Sequence, residues 1–270
     1  MKKSIRVSLF YLILLINPVY HTYGQSYIPA KPFGDNKLVN DFICSEVVYP
    51  PSALENGEEG KVTLSFMVDE SGVVSRIQVK SGVSPEIDRE AIRIFRFLQW
   101  EPAIRLGNPV SSEDEFTFKF SVKKYNRHCK QRGYEQLEFP YQPVDTSYTI
   151  YDLDQLDRSP EPIFGEKGMN LEKFIVNSLN YPEAAYKQNI SGKVTLSFVI
   201  ETHGRPSNIV VKKPLGGGCT EEALRILKLI EWMPGIKDNM AVRSRIELNI
   251  TFILPNDSDT KVFDNNQGAI

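Results

Sequence analysis

The chain has 270 residues, 41% hydrophobic and 24% charged, which is the composition of a soluble globular protein with room for two domains of ordinary size. Its net charge of -2 gives no electrostatic reason to expect a nucleic-acid partner. The short basic runs at Lys123-Lys124 and from Arg127 to Arg132 lie beside an expected linker and read as a solvated connector.

The N-terminus has the pattern of a targeting segment. Lys2, Lys3 and Arg6 precede an apolar run from Val7 to Ile16, which breaks at Asn17-Pro18. Thr22-x-Gly24 supplies small residues for cleavage, so residues 1–24 read as a signal peptide and Gln25 as the mature start. The rival reading, an uncleaved membrane anchor, needs about 20 apolar residues, roughly twice this run. No cysteine follows closely enough for a lipid anchor.

A first domain is expected over 30–123. A short apolar helix from Leu38 to Ile43 ends before Tyr49-Pro50, because the residue preceding proline avoids helical angles. Pro51 then opens a single helical turn. Val62, Leu64, Phe66 and Val68 alternate with Thr63, Ser65 and Met67, a half-buried strand. Asp69 to Gly72 forms a hairpin turn into a second strand carrying Ile77 and Val79. After the Ser84-Pro85 start signal, Ile87, Ala91, Ile94, Phe95 and Leu98 fall on one face of a helix. Trp100-x-Pro102 ends that helix, and both tryptophans of the chain are expected to be buried at such a hand-over. Phe116, Phe118, Phe120 and Val122 mark a last strand.

Residues 124–159 are polar, without a long periodic run, and read as a linker. The whole pattern then recurs over 160–256, leaving a polar tail at 257–270. Gly-Lys-Val-Thr-Leu-Ser-Phe stands at both 60–66 and 192–198. At the same offset Tyr49-Pro50 returns as Tyr181-Pro182, Glu90-Ala91-x-Arg93 as Glu222-Ala223-x-Arg225, and Trp100-x-Pro102 as Trp232-x-Pro234. One gapless register over this span means two copies of one domain. The expected fold class is α+β: two tandem two-layer domains, each a three-stranded antiparallel sheet (β-β-α-β with a short leading helix) covered by helix.

The three cysteines cannot all pair with one another. Cys219 takes the core-facing place of Ile87. Cys44 and Cys129 flank the first copy; a disulfide between them is open, since it requires Cα atoms within about 7 Å.

Catalytic patterns are missing. His203 sits at a hairpin tip and reads as a turn residue, and His128 beside Cys129 is not a zinc pattern. Gly216-Gly217-Gly218 precedes a helix but lacks the Gly-Lys-Ser/Thr ending of a phosphate loop, so it reads as a flexible connector. No catalytic residue, metal or cofactor is assigned, and the chain is not read as an enzyme. A three-stranded sheet does have two open edges that an extended peptide can complete. The candidate partner-binding residues are therefore those of the last strands: Phe116, Thr117, Phe118, Lys119, Phe120 and Ser121, and Leu248, Asn249, Ile250, Thr251 and Phe252.

The repeat resembles the C-terminal domain of the TonB family. The carrying residues are Tyr49-Pro50, Gly60-x-Val62, the Asp69 to Gly72 turn, Ile87-Asp88-x-Glu90-Ala91-x-Arg93, Trp100-x-Pro102-Ala103 and Phe120, with their counterparts in the second copy. The resemblance implies a periplasmic domain that grips an N-terminal segment of an outer-membrane transporter by strand addition. It also implies inner-membrane motor proteins as partners, reached through an anchor and a proline-rich stalk. The chain departs from that plan: 17 prolines in 270 residues make no stalk, and Thr220 replaces the expected aspartate. An adaptor without its own motor coupling fits these departures. A scaffold that binds peptidoglycan, or a secreted interaction protein, is the alternative.

Overall fold

A computed structural model describes residues 27–132 and 141–254. The expected signal peptide at 1–24 and the polar tail at 257–270 lie outside the described residues.

In the first copy, helix α1 (Asn36–Glu46) starts where the Asp35 carboxylate accepts the Leu38 amide at 2.8 Å. The turn α2 (Pro51–Glu55) leads to the hairpin β1 (Gly60–Val68) and β2 (Val74–Ser81). Helix α3 (Pro85–Phe95) and strand β3 (Ser112–Phe120) complete the unit. The sheet order is β2-β1-β3, antiparallel throughout. Helix α3 lays Ile87, Ala91, Ile94 and Phe95 against Val62, Leu64, Phe66 and Val68, all buried. Each large side chain among them contributes about 1.5–3 kcal/mol of burial free energy.

The segment between the copies is structured. Val122 does not end the last strand; it opens helix α4 (Val122–Arg132), which sends Tyr125 and Cys129 into the first core. Strand β4 (Ile150–Tyr151) then joins the second copy's sheet, followed by a single 3-10 turn at Leu153–Gln155. Helix α4 packs on α1, which places Cys44 and Cys129 on neighbouring helices; the structure holds no disulfide among the described residues.

The second copy repeats the order with α5 (Leu171–Ser178), α6 (Glu183–Lys187), β5 (Gly192–Ile200), β6 (Pro206–Lys213) and α7 (Cys219–Leu229). It closes with β7 (Gly235–Lys237) and the long β8 (Met240–Phe252), in the order β6-β5-β8-β7. Cys219 is buried, and that burial pushes its thiol pKa up, which keeps it inert.

Several repeated residues are explained by one network. Glu90 on α3 accepts the Val48 amide at 2.7 Å and the Arg93 Nε at 2.7 Å, while Arg93 Nη2 donates to the Glu46 carbonyl at the end of α1. Glu222 and Arg225 do the same for Asn180 and Ser178. The Glu-Ala-x-Arg motif thus ties the long helix to the end of the leading helix. Tyr49 and Tyr181 close the other side by donating their hydroxyls to the Glu58 and Ile190 carbonyls.

Both tryptophans are buried, as expected. Each also explains a hairpin glycine. A Cβ at Gly72 would stand 2.2 Å from the Trp100 carbonyl oxygen, and one at Gly204 would stand 2.2 Å from that of Trp232. At φ of +82° and +86° only glycine combines this backbone with this approach.

Two local expectations are corrected. Gly217 is no loose connector: its Cα lies so close to α6 that a Cβ would stand 2.7 Å from Ala185 Cα. Thr220 keeps the role of the aspartate it replaces. Its hydroxyl accepts the Leu215 amide at 2.9 Å, as Asp88 accepts the Val83 amide at 2.9 Å in the first copy.

Candidate functional site

The last strands begin earlier than their apolar alternation indicates. Strand β3 starts at Ser112 rather than Phe116, because Glu113, Asp114 and Glu115 are polar on both faces and hide the period. Backbone pairing nevertheless runs unbroken from Ser112 with Val68 to Phe120 with Gly60. On its other side no described strand pairs with β3. Phe116, Thr117, Phe118, Lys119 and Phe120 lie on this open edge. Phe118 and Phe120 are buried toward the helix, and Thr117 and Lys119 are exposed. Ser121 lies just beyond the strand and donates its hydroxyl to Glu59 at 3.2 Å.

Charge is concentrated at the start of this edge. Glu115 forms an exposed ion pair with Lys80 across β1, which raises the lysine pKa. The Glu70 carboxyl is held below its usual range, first by its own amide and then by the Ser111 hydroxyl. Glu113 is exposed beside them.

Strand β8 offers a different edge. It pairs with β5 from Ser244 to Phe252, so Leu248, Asn249, Ile250, Thr251 and Phe252 all sit in the ladder. Ser244 pairs at once with Ile200 of β5 and, in parallel, with Tyr151 of β4. The linker strand therefore lies on the side of β8 that faces away from β5. The outer edge of β8 starts with a strand supplied by the chain itself, and no described strand pairs there from Arg245 to Phe252.

The copies meet asymmetrically. The α1 helix of the first copy packs on β6 of the second, so β6 is largely buried where the equivalent β2 is exposed. Arg243, 3% exposed, donates to both oxygens of Glu201, to the Phe97 carbonyl at 2.9 Å and to the Tyr148 carbonyl at 2.8 Å. Asn208 reaches the Phe97 carbonyl and accepts the Gln99 amide at 2.8 Å. His203 Nε2 lies 3.1 Å from the Glu46 carboxylate, with both side chains about 1% exposed. His203 is thus an interface residue, which corrects its reading as a simple turn residue. A cleft of about 680 Å³ remains between the copies, walled by residues such as Phe42, Leu98, Ile209 and Trp232.

Sequence reading missed this interface, although the repeat contains its signal. The interface residues are places where the copies disagree. Glu46 aligns with Ser178, His203 with Ser71, Arg243 with Ser111, Asn208 with Arg76, and Phe97 with Leu229. Phe97 is 8% exposed in contact with Tyr148 and Arg243, whereas Leu229 is 50% exposed.

The family model described as Gram-negative bacterial TonB protein C-terminal matches residues 45–122 and 177–254. The chain belongs to the TonB C-terminal family. Its two family matches coincide with the two structural copies. Among solved structures, the chain is similar to the TonB C-terminal domain of Pseudomonas aeruginosa at 28% identity. That match covers 34% of this chain and 85% of the other, with a TM-score of 0.26. It is also similar to the Helicobacter pylori TonB C-terminal domain, residues 194–285, at 22% identity over 33% of this chain and 98% of the other, with a TM-score of 0.24. No curated protein matches the chain. No described helix is long and apolar enough to cross a membrane.

Proposed function

We propose that this protein is a periplasmic TonB-like adaptor that captures an extended segment of an outer-membrane transporter by adding it as a strand to one of its sheet edges. The observation that carries this reading is the pair of outer edges on β3 and β8. Each offers a row of backbone donors and acceptors, and the start of the β8 edge already holds a two-residue strand that the chain's own inter-copy segment supplies. Main-chain hydrogen bonds supply most of the affinity in such a mode, so changes at the exposed Thr117, Lys119, Asn249 or Thr251 side chains have small effects. Motor coupling belongs to separate inner-membrane partners in this reading.

The test is titration of the isotope-labelled protein with peptides copied from transporter N-termini, followed by amide NMR. Shifts concentrated on 112–120 or 245–252 support the reading. Shifts confined to the α3 or α7 faces, or binding only to peptidoglycan fragments, overturn it in favour of a cell-wall scaffold.

A further inference from the structure

We infer that the two copies divide the work. The first copy's β3 edge receives the partner, and the partner is an extended peptide that runs parallel to β3 with two basic residues at alternate positions in its N-terminal half. This inference rests on the strand-addition reading above and specifies the copy, the direction and the chemistry of the segment.

The copy follows from occupancy. In the second copy the outer edge of β8 is taken at Arg243 and Ser244 by Ile150 and Tyr151. The chain leaves that edge into the turn at Leu153–Gln155, which stays packed against β8. An incoming strand there must start against a chain already in place. The aligned residues of the first copy, Ser111 and Ser112, carry no such strand among the described residues, and no described strand pairs with the outer side of β3 from Ser112 to Phe120.

The direction follows from the same comparison. The strand that β8 accepts on its outer side runs parallel to it. The copies share one pairing register in this ladder, with Gly60 opposite Phe120 and Gly192 opposite Phe252. A parallel strand on β3 therefore begins beside Ser112 and ends beside Phe120.

The chemistry follows from the side chains along that path. On the face away from the helix the exposed residues are, in order, Glu113, Glu115, Thr117 and Lys119. The second copy has Arg245, Glu247, Asn249 and Thr251 there, without the paired negative start. Cross-strand neighbours stand close enough for charge to matter, and Lys80 already offsets part of the Glu115 charge. A parallel peptide therefore gains most from Lys or Arg beside Glu113, less beside Glu115, and loses from Lys or Arg beside Lys119. On the helix side the half-buried Phe116 and the buried Phe118 favour apolar residues at the intervening positions.

Three synthetic ten-residue peptides test this on the full chain. All alternate apolar with polar residues; one has two lysines in its N-terminal half, one has the same lysines in its C-terminal half, and one has glutamines instead. The N-terminal lysine peptide is expected to bind about tenfold more tightly than either of the others. Its amide shifts should fall on 112–120. Glu113→Gln with Glu115→Gln should abolish the preference while leaving the amide spectrum of the core unchanged, since both side chains are exposed and the Lys80–Glu115 pair that is lost lies on the surface. Equal binding of all three peptides at β3 overturns the charge and direction rule. Shifts on 245–252 instead overturn the choice of copy while strand addition stands. Silence at both edges with every peptide refutes the proposed function itself, and this inference with it.

Discussion

Replacing Arg243 by alanine should both weaken the protein and uncouple its copies. The guanidinium sits under Phe97, 5.1 Å from its ring centre, and donates to Glu201, Phe97 and Tyr148. Alanine removes those donors and leaves the Glu201 carboxylate, 0% exposed, with the Ser207 hydroxyl as its remaining side-chain partner among the described residues. Breaking a buried pair from one side costs about 3–5 kcal/mol, since the remaining charge stays buried. The Phe97 carbonyl keeps the Asn208 side chain, so it adds little to the loss. The assay is urea unfolding followed by the indole N–H signals of Trp100 and Trp232, one in each copy. The parent should show a single coincident transition. Arg243→Ala should lower the midpoint and separate the two signals, with Trp232 lost first because Glu201 belongs to the second copy. Combining Glu201→Gln with Arg243→Met should recover part of the loss, because no buried charge then remains. A stability within 1 kcal/mol of the parent, with the signals still coincident, would falsify the view that this pair holds the copies together.

Trp100→Ala and Trp232→Ala should each cost about 3–5 kcal/mol in chemical unfolding, and a near-neutral result would place that indole on a surface instead. Gly72→Ala and Gly204→Ala should each cost about 1–3 kcal/mol, through the positive φ and the clash with a tryptophan carbonyl; a gain in thermal stability would contradict this geometry. Tyr49 has its phenol pushed up to about 12, by burial first and then by Glu59 and Glu58. A raised folded-state pKa gives stability that is intact below the unfolded value near 10 and is lost as pH climbs toward about 12. Tyr49→Phe should therefore flatten the alkaline fall of stability in that window, at a cost of about 1 kcal/mol at neutral pH for the lost bond to Glu58. An unchanged alkaline slope would show that Tyr49 does not control it.

The fold was largely legible in the sequence because a repeat doubles every local signal. The stripe from Ile87 to Phe95 and the alternation from Val62 to Val68 each occur twice, so neither rests on one segment alone. The edges of the last strands were legible only where apolar residues alternate. Glu113 to Glu115 belong to β3 through backbone pairing, which carries no side-chain period. The linker was misread for a related reason. Helix α4 is held by Tyr125 and Cys129 against a core built elsewhere, and β4 by backbone bonds to β8, so neither needs a long apolar period of its own. The inter-copy contact was invisible to any reading of one copy. His203 meets Glu46 from 157 residues away, and only the mismatches between the repeats point to it.

The most direct test of strand addition is a set of isotope-filtered nuclear Overhauser measurements between an unlabelled bound peptide and the labelled protein. The expected result is a ladder of backbone contacts from successive peptide residues to Ser112 through Phe120, in parallel order, with alternate peptide amides protected from exchange. Contacts to side chains alone, with no backbone ladder on β3 or β8, would contradict it.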